Sequence, residues 1–234
     1  MARLPRLYAP DVTQLVQVRF AHPLAAADEP TPATTLNLLH AWLIAEIRNT
    51  TFALHGWALL PDRLIMLGTP SSAKDVSRVV QSLGRRMAAR MTHGRAFDGR
   101  YRSALVDNEW VIPSLVWLES RPVIQGLVDV ADRWPWSSAQ MHVGQRPGDH
   151  LLADHAHYWA LGNTPFARQA RYQDALRAGL GAAHCAEIER ALFGQWALGG
   201  DEFTVWLASR CTRRARPAPR GRPRKSDDQL SVTN

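Results

Sequence analysis

Thr51-Phe52-Ala53-Leu54-His55-Gly56-Trp57-Ala58-Leu59-Leu60-Pro61-Asp62-Arg63-Leu64-Ile65-Met66-Leu67-Gly68-Thr69 is the stretch that decides the fold class. Two apolar, β-leaning runs, 51–60 and 64–69, are interrupted only by Pro61-Asp62-Arg63, which predicts two neighbouring strands. On the N-terminal side, Leu36, Leu39, His40, Leu43 and Ile47 recur at helical spacing, so a helix is expected over 33–49 with Thr34 or Thr35 as its cap. Before it, 12–20 alternates polar and apolar residues as a half-buried strand does, and 23–32 reads as a linker rich in Ala, Pro and acid. On the C-terminal side, Ser71 or Ser72 caps a helix expected to run to about residue 92, with Val76, Val79, Val80, Leu83 and Met87 on one side. A short strand at 101–106 and a helix at 109–120, broken or restarted at Pro122, follow. Beyond a boundary at 144–149 only helices are expected, over 164–178, 182–193 and 200–210. The organisation is therefore an α+β domain at 1–143, a small all-α region at 150–210 and a tail at 211–234 expected to be disordered.

Charge is unevenly placed. The 234 residues hold 28 Lys+Arg and 21 Asp+Glu, a formal net of +7. Eight basic residues and no acidic one fall between Arg210 and Lys225, leaving 20 basic and 21 acidic residues elsewhere. The excess is thus a property of the tail, the usual mark of an arm for nucleic acid or another anionic surface. Two cysteines, Cys185 and Cys211, are too few for a disulfide framework, which points to a reducing compartment. No apolar run approaches the roughly 20 residues of a spanning helix, and no signal core follows 1–10. A cytoplasmic protein with no membrane partner is the expectation.

Five segments, in order, resemble the REP-associated tyrosine transposases, a branch of the HUH single-strand transposases. They are Ala2-Arg3-Leu4-Pro5-Arg6-Leu7-Tyr8-Ala9-Pro10, similar to that family's first strand, Gln81-Ser82-Leu83-Gly84-Arg85-Arg86, Gly99-Arg100-Tyr101-Arg102-Ser103, Trp134-Pro135-Trp136-Ser137-Ser138, and Arg220-Gly221-Arg222-Pro223-Arg224-Lys225. The resemblance spans about residues 2 to 225 and implies a ferredoxin-like antiparallel sheet with packed helices. It also implies metal-assisted nicking of DNA. In that chemistry a tyrosine attacks a phosphate, and Mg²⁺ or Mn²⁺ is held by two histidines that flank an apolar residue on a strand.

Here those positions differ. The family's Met-Pro-Asn-His-apolar-His run corresponds to Leu60-Pro61-Asp62-Arg63-Leu64-Ile65, which puts Arg63 and Ile65 at the metal-ligand positions. A protonated guanidinium offers no lone pair and an isoleucine has no donor atom. The family's Tyr-Ile-Glu-Leu-Asn-Pro helix corresponds to Trp117-Leu118-Glu119-Ser120-Arg121-Pro122. Trp117 stands where the nucleophile would be, and Arg121 one turn further on. The expectation is a catalytically inactive relative with no metal and no cofactor, its two new arginines placed to hold a phosphate. An equally simple reading leaves Arg63 exposed and Trp117 as core.

Binding residues are expected in two groups. Arg78, Arg85, Arg86, Arg90, Arg95, Arg100 and Arg102 cluster with only Asp98 opposing them, as a phosphate-binding ridge. Tyr101 and Trp110 are candidates to stack a base of a single strand. In the tail, Arg220, Arg222, Arg224 and Lys225 resemble an AT-hook core, whose arginines would enter a narrow minor groove. The implied partner is single-stranded or hairpin DNA, in a nucleoid-associated location, with a homodimer through the 164–210 helices as one arrangement left open. The alternatives are an active transposase using Tyr101 with His55 or His93, and a nucleic-acid-binding scaffold without a transposition role. His155-Ala156-His157, near Asp154 and His150, has the letters of a metal pair but lies outside the family motifs and is expected to be a hydrogen-bonded cluster.

Overall fold

The computed structural model of the chain describes residues 5–24, 31–90, 94–147 and 151–217. Four strands, β1 Gln14–Arg19, β2 Phe52–Leu59, β3 Arg63–Pro70 and β4 Arg102–Leu105, form one antiparallel sheet in the order β2-β3-β1-β4. Helices α1 (Ala33–Arg48) and α2 (Asp75–Ala88) connect them in a βαββαβ sequence, the ferredoxin-like topology. β2 and β3 are joined by Leu60-Pro61-Asp62, with Leu60 N–H donating to the Arg63 carbonyl at 2.8 Å.

β3 reads as an unbroken apolar run because helices cover both faces of the sheet. Leu64 lines a small cavity with Leu39 and Leu43 of α1 and Leu83 and Met87 of α2. By strand alternation, Arg63, Ile65 and Leu67 face the other way. That second face is covered by α3 (Val111–Glu119), which lies on β2 and β3, and by α8 (Ala182–Gly194), which lies on β1 and β4. The approach of α3 is close: a Cβ on Gly56 would stand 2.4 Å from Leu115 Cδ2, so β2 must carry glycine there. α3 is entered through a 3-10 turn, Asn108–Trp110, whose first N–H donates to the Asp107 side chain at 2.8 Å.

The remaining helices are α4 (Arg121–Ile124), α5 (Ala139–His142), α6 (Ala156–Trp159), α7 (Pro165–Ala178) and α9 (Asp201–Ala208). The expected boundary at 144–149 falls between segments that share a core. Tyr158, Tyr172, Leu176, Ile188 and Leu192 belong to the same buried cluster as Leu15, Trp57 and Leu115. A smaller cluster of Leu7, Ala9, Val12, Leu105, Leu207 and Ala215 seals the end of β4.

Three expectations are corrected. The opening segment is irregular over 5–13 rather than a strand, and pairing begins at Gln14. α2 ends at Ala88, short of residue 92. The tail expected from 211 packs on the domain as far as its described residues run, since Ala215 is buried and Cys211 Sγ approaches the Tyr8 carbonyl at 3.4 Å. Arg220, Arg222, Arg224 and Lys225 lie outside the described residues, as do His93 and His150.

Candidate functional site

Arg63 opens β3 on the α3 face. Its Nε donates to both oxygens of Asp62 at 3.0 and 2.9 Å, and its Nη2 to one of them at 2.5 Å. Half-burial works against the Asp62 charge, but the Arg63 guanidinium outweighs it and holds the carboxyl below its ordinary range. Gln125 of the residues closing α4 donates to the same carboxylate at 3.4 Å, tying the start of β3 to the end of that helix. Ile65, two residues along, is 0% exposed in the middle of the sheet.

Trp117, on α3, is 2% exposed. The Arg121 guanidinium lies 4.3 Å from the centre of its ring, donates from Nε to the Trp117 carbonyl at 3.1 Å, and pairs with Glu189 of α8 at 3.2 Å. Burial lowers the Arg121 pKa, partly offset by Glu189, and the charge of Arg63 adds to the lowering. Arg63, Trp117 and Arg121 therefore gather where β3, α3 and α8 meet, with Ile65 next to them on the same face of β3. A cleft of about 440 Å³ opens there, lined by Trp117, Arg121, Ile124, Leu176, Leu180 and Cys185. Its surroundings are largely apolar, and both arginines already have carboxylate partners.

Two residues beyond Trp117, Glu119 is fully buried at the centre of a polar hub. Its Oε1 accepts from Ser138 Oγ and lies 2.7 Å from His142 Nδ1, and its Oε2 accepts from Tyr172 OH at 2.7 Å. Tyr158 OH donates to the His142 carbonyl at 2.7 Å. Burial disfavours a charged His142, but the Glu119 carboxylate overcomes this and raises its pKa. Trp134-Pro135-Trp136-Ser137-Ser138 locks this hub to β2. Trp134 Nε1 donates to the Leu59 carbonyl at 2.9 Å, Trp136 Nε1 to Asn37 Oδ1 at 2.9 Å, and Trp57 N–H to Ser138 Oγ at 2.9 Å. The segment thereby covers the β2 edge.

The arginine ridge is divided. Arg78 and Arg85 point outward from α2, and Arg95 and Arg100 are exposed in the segment leading to β4. Arg86 instead turns to α1 and pairs with Glu46 at 2.8 Å, and the Arg90 guanidinium lies 5.5 Å from the Trp42 ring centre. Arg102 donates from Nη1 to the Phe193 carbonyl at 2.6 Å. Tyr101 is not free to stack a base. It is 6% exposed, its hydroxyl is 3.0 Å from Ser77 Oγ, and the Arg6 guanidinium covers its ring at 3.6 Å. Alternation carries Tyr101 to the α2 face, opposite Arg102. Trp110 is half-buried against His184, with ring centres 5.4 Å apart.

The histidines of 155–157 serve local structure. His155 Nδ1 accepts from the His157 backbone N–H at 3.1 Å, capping α6, and its Nε2 lies 3.3 Å from Thr13 Oγ1. His55 has both ring nitrogens engaged, at 2.5 Å from the Ala153 carbonyl and 2.8 Å from Thr69 Oγ1. Among the described residues, no group of three or more His, Cys, Asp or Glu side chains is placed to hold a metal ion. Nor is any helix among them long and apolar enough to cross a membrane.

A βαββαβ sheet whose second face carries α3 over β2 and β3 defines a ferredoxin-like α+β domain. Among solved structures, the chain is similar to a REP-associated tyrosine transposase bound to a REP hairpin, at 16% identity and a TM-score of 0.51, over 67% of this chain and 96% of that one. The fold is thus the one the sequence motifs implied. No protein-family model matches the chain, and no curated protein does.

Proposed function

We propose that this chain is a DNA-binding protein of the tyrosine transposase type that binds single-stranded or hairpin DNA without cutting it. The observation that carries the reading is the junction of β3 and α3. The scaffold of a strand-nicking enzyme is kept, while the side chains at its reactive positions are Arg63, Ile65, Trp117 and Arg121. None of them donates a lone pair to a divalent cation or attacks a phosphate at neutral pH. Two are engaged with carboxylates and two are buried.

The DNA partner is supported by the hairpin bound to the structural neighbour and by the outward arginines Arg78, Arg85, Arg95 and Arg100, which face no carboxylate in an ion pair among the described residues. Backbone phosphates are the natural ligands of such a surface. Arg220 to Lys225 would add minor-groove contacts, and binding to chromosomal DNA would keep the protein in the nucleoid as a monomer or homodimer. Nicking by Tyr101 is disfavoured, because its hydroxyl is buried against Ser77 on the face opposite Arg63.

The test incubates the full chain with labelled hairpin DNA and Mg²⁺ or Mn²⁺. The expected outcome is a salt-sensitive complex with neither cleavage nor a covalent adduct. Cleavage that disappears in Tyr101→Phe overturns the reading, and so does an absence of binding at low salt. Truncation after Pro217 removes four basic side chains of the arm, and the slope of log affinity against log salt should fall by about three, near 0.7–0.9 per lost phosphate contact.

A further inference from the structure

At the end of the sheet where β4 begins, three guanidinium groups line one concavity and a fourth stands behind it. Arg100 and Arg102 come from the entry to β4, Arg213 from the segment after α9, and Arg6 from the N-terminal segment. The cleft is about 370 Å³ and is lined by Arg100, Arg102 and Arg213 together with Trp196 and Gln195, with no carboxylate among its lining residues. Arg6 lies over the Tyr101 ring at its back, close enough that the Arg100 charge lowers its pKa, burial being the larger cause. Arg213 is lowered by burial as well. No ion pair among the described residues involves any of the four.

Two of these groups are held by the C-terminal end of α8. Arg102 donates to the Phe193 carbonyl and Arg213 to the Gln195 carbonyl, and the Arg213 guanidinium lies 4.9 Å from the Trp196 ring centre. Helix-terminal carbonyls favour cations, so this end of α8 fixes the guanidiniums without neutralising them. A guanidinium has five N–H donors, and each of these hydrogen bonds uses one. The Nε groups of Arg6 and Arg213 are buried and have no hydrogen-bond partner among the described residues. Like charges gathered at one concavity, Arg6 and Arg213 half-buried and Arg100 and Arg102 exposed, with donors unused, favour the entry of an anion.

We infer that this cleft is a phosphate site, formed by Arg6, Arg100, Arg102 and Arg213, that receives one backbone phosphate of a single DNA strand. A single strand or strand end can lower a phosphate into a concavity, whereas a duplex presents its phosphates on a convex surface. Planar guanidiniums suit this role because they bind phosphate oxygens in a fork. The inference rests on the DNA-binding reading for the identity of the ligand, and it adds a place where the single strand departs from the α2 surface.

The experiment uses the full chain, two probes and four proteins: wild type, Arg213→Gln, Arg100→Glu, and the charge-matched control Arg146→Glu. Arg100 is exposed and makes no internal hydrogen bond in this structure, so its variant should fold even if Arg213→Gln does not. The first probe is a labelled hairpin with or without a single-stranded extension, followed by anisotropy. Both cleft variants should weaken binding of the extended hairpin at least tenfold and of the blunt hairpin less than threefold, with Arg146→Glu matching wild type. Equal affinities of a folded Arg213→Gln and wild type for the extended hairpin overturn the site. The second probe is pyrophosphate, which should raise the melting temperature of wild type and of Arg146→Glu but not of the cleft variants. A wild type that ignores pyrophosphate also overturns the site. A wild type that binds neither hairpin yet responds to pyrophosphate through the cleft supports the phosphate site and overturns the DNA reading.

Discussion

Trp117 and Glu119 stand two residues apart on α3, and their surroundings differ in kind. Around Glu119 both carboxylate oxygens are satisfied, by Ser138, His142 and Tyr172. Around Trp117 the indole N–H and the nearby Ser114 hydroxyl are buried without a hydrogen-bond partner among the described residues, and the one ion pair, Arg121–Glu189, is partly exposed. The first cluster binds α3 to α5, α6, α7 and β2 and so fixes the helix on the sheet. The second contributes packing and one solvent-screened contact. The position of α3 on the sheet is thus set by the polar hub, while residue 117 adds packing beside it.

That contrast is broken or sharpened first by Glu119→Ala. The variant leaves His142, Ser138 and Tyr172 without their acceptor in a dry interior, and loss of one partner of a buried pair costs about 3–5 kcal/mol. Equilibrium urea unfolding should show that loss. A cost under about 1 kcal/mol would place the keystone elsewhere. Trp117→Ala comes next. A buried aromatic replaced by Ala costs about 3–5 kcal/mol, and the low end is expected because Trp117 also borders an open cleft. Trp117→Tyr should keep most of that packing and yield no DNA cleavage with Mg²⁺, since Arg63 and Ile65 still supply no metal ligand.

The sheet was legible in the sequence because its strands are written locally. Strands at 51–60 and 64–69 follow from apolar runs on either side of Pro61-Asp62-Arg63, and helices at 33–49, 164–178 and 182–193 were likewise expected; the structure matches each to within about two residues, although Thr34 and Thr35 lie inside α1, whose N-cap is Pro32, rather than capping it. The two short helices α5 and α6 were not legible, since four residues carry no periodicity. The hub was half legible: an acid inside the apolar run Val111-Ile112-Pro113-Ser114-Leu115-Val116-Trp117-Leu118-Glu119 is a signal, but its partners lie 19 to 53 residues away. Tyr101 was misjudged because its side depends on the register of β4 with β1. The Arg6–Arg213 cleft could not be read at all, because it joins residues near both ends of the chain through tertiary packing alone.

A smaller effect is expected at the junction itself. The Arg121–Glu189 pair is partly exposed, so a double-mutant cycle with Arg121→Ala and Glu189→Gln should return a coupling of about 1 kcal/mol or less. A coupling of 3 kcal/mol would make the junction as structural as the hub and erase the difference between them.

The smallest effect is that of pH, because neighbouring histidines oppose one another: His142 is hydrogen-bonded to the His55 backbone, and the His55 ring centre lies 4.8 Å from that of His155. In the hub, the His142 pKa is raised above 6.5 by Glu119. Its contribution is therefore fully present below that value and fades as the pH rises through the raised folded pKa. Beside it, burial and then the neighbouring His55 and His157 push His155 down to about 4, and burial lowers His55 too. Their contribution is fully present above about 6.5 and fades as the pH falls toward 4. Stability should thus crest near pH 6.5 and fall gently on both sides, on the alkaline side until the raised pKa of His142 is passed. In unfolding curves measured from pH 4 to 9, His155→Asn should flatten the acid limb while keeping a cap for α6, and His142→Gln should flatten the alkaline limb at a lower overall stability. An acid limb that His155→Asn leaves unchanged would mean that His55, whose pKa burial also lowers, governs the response to acid.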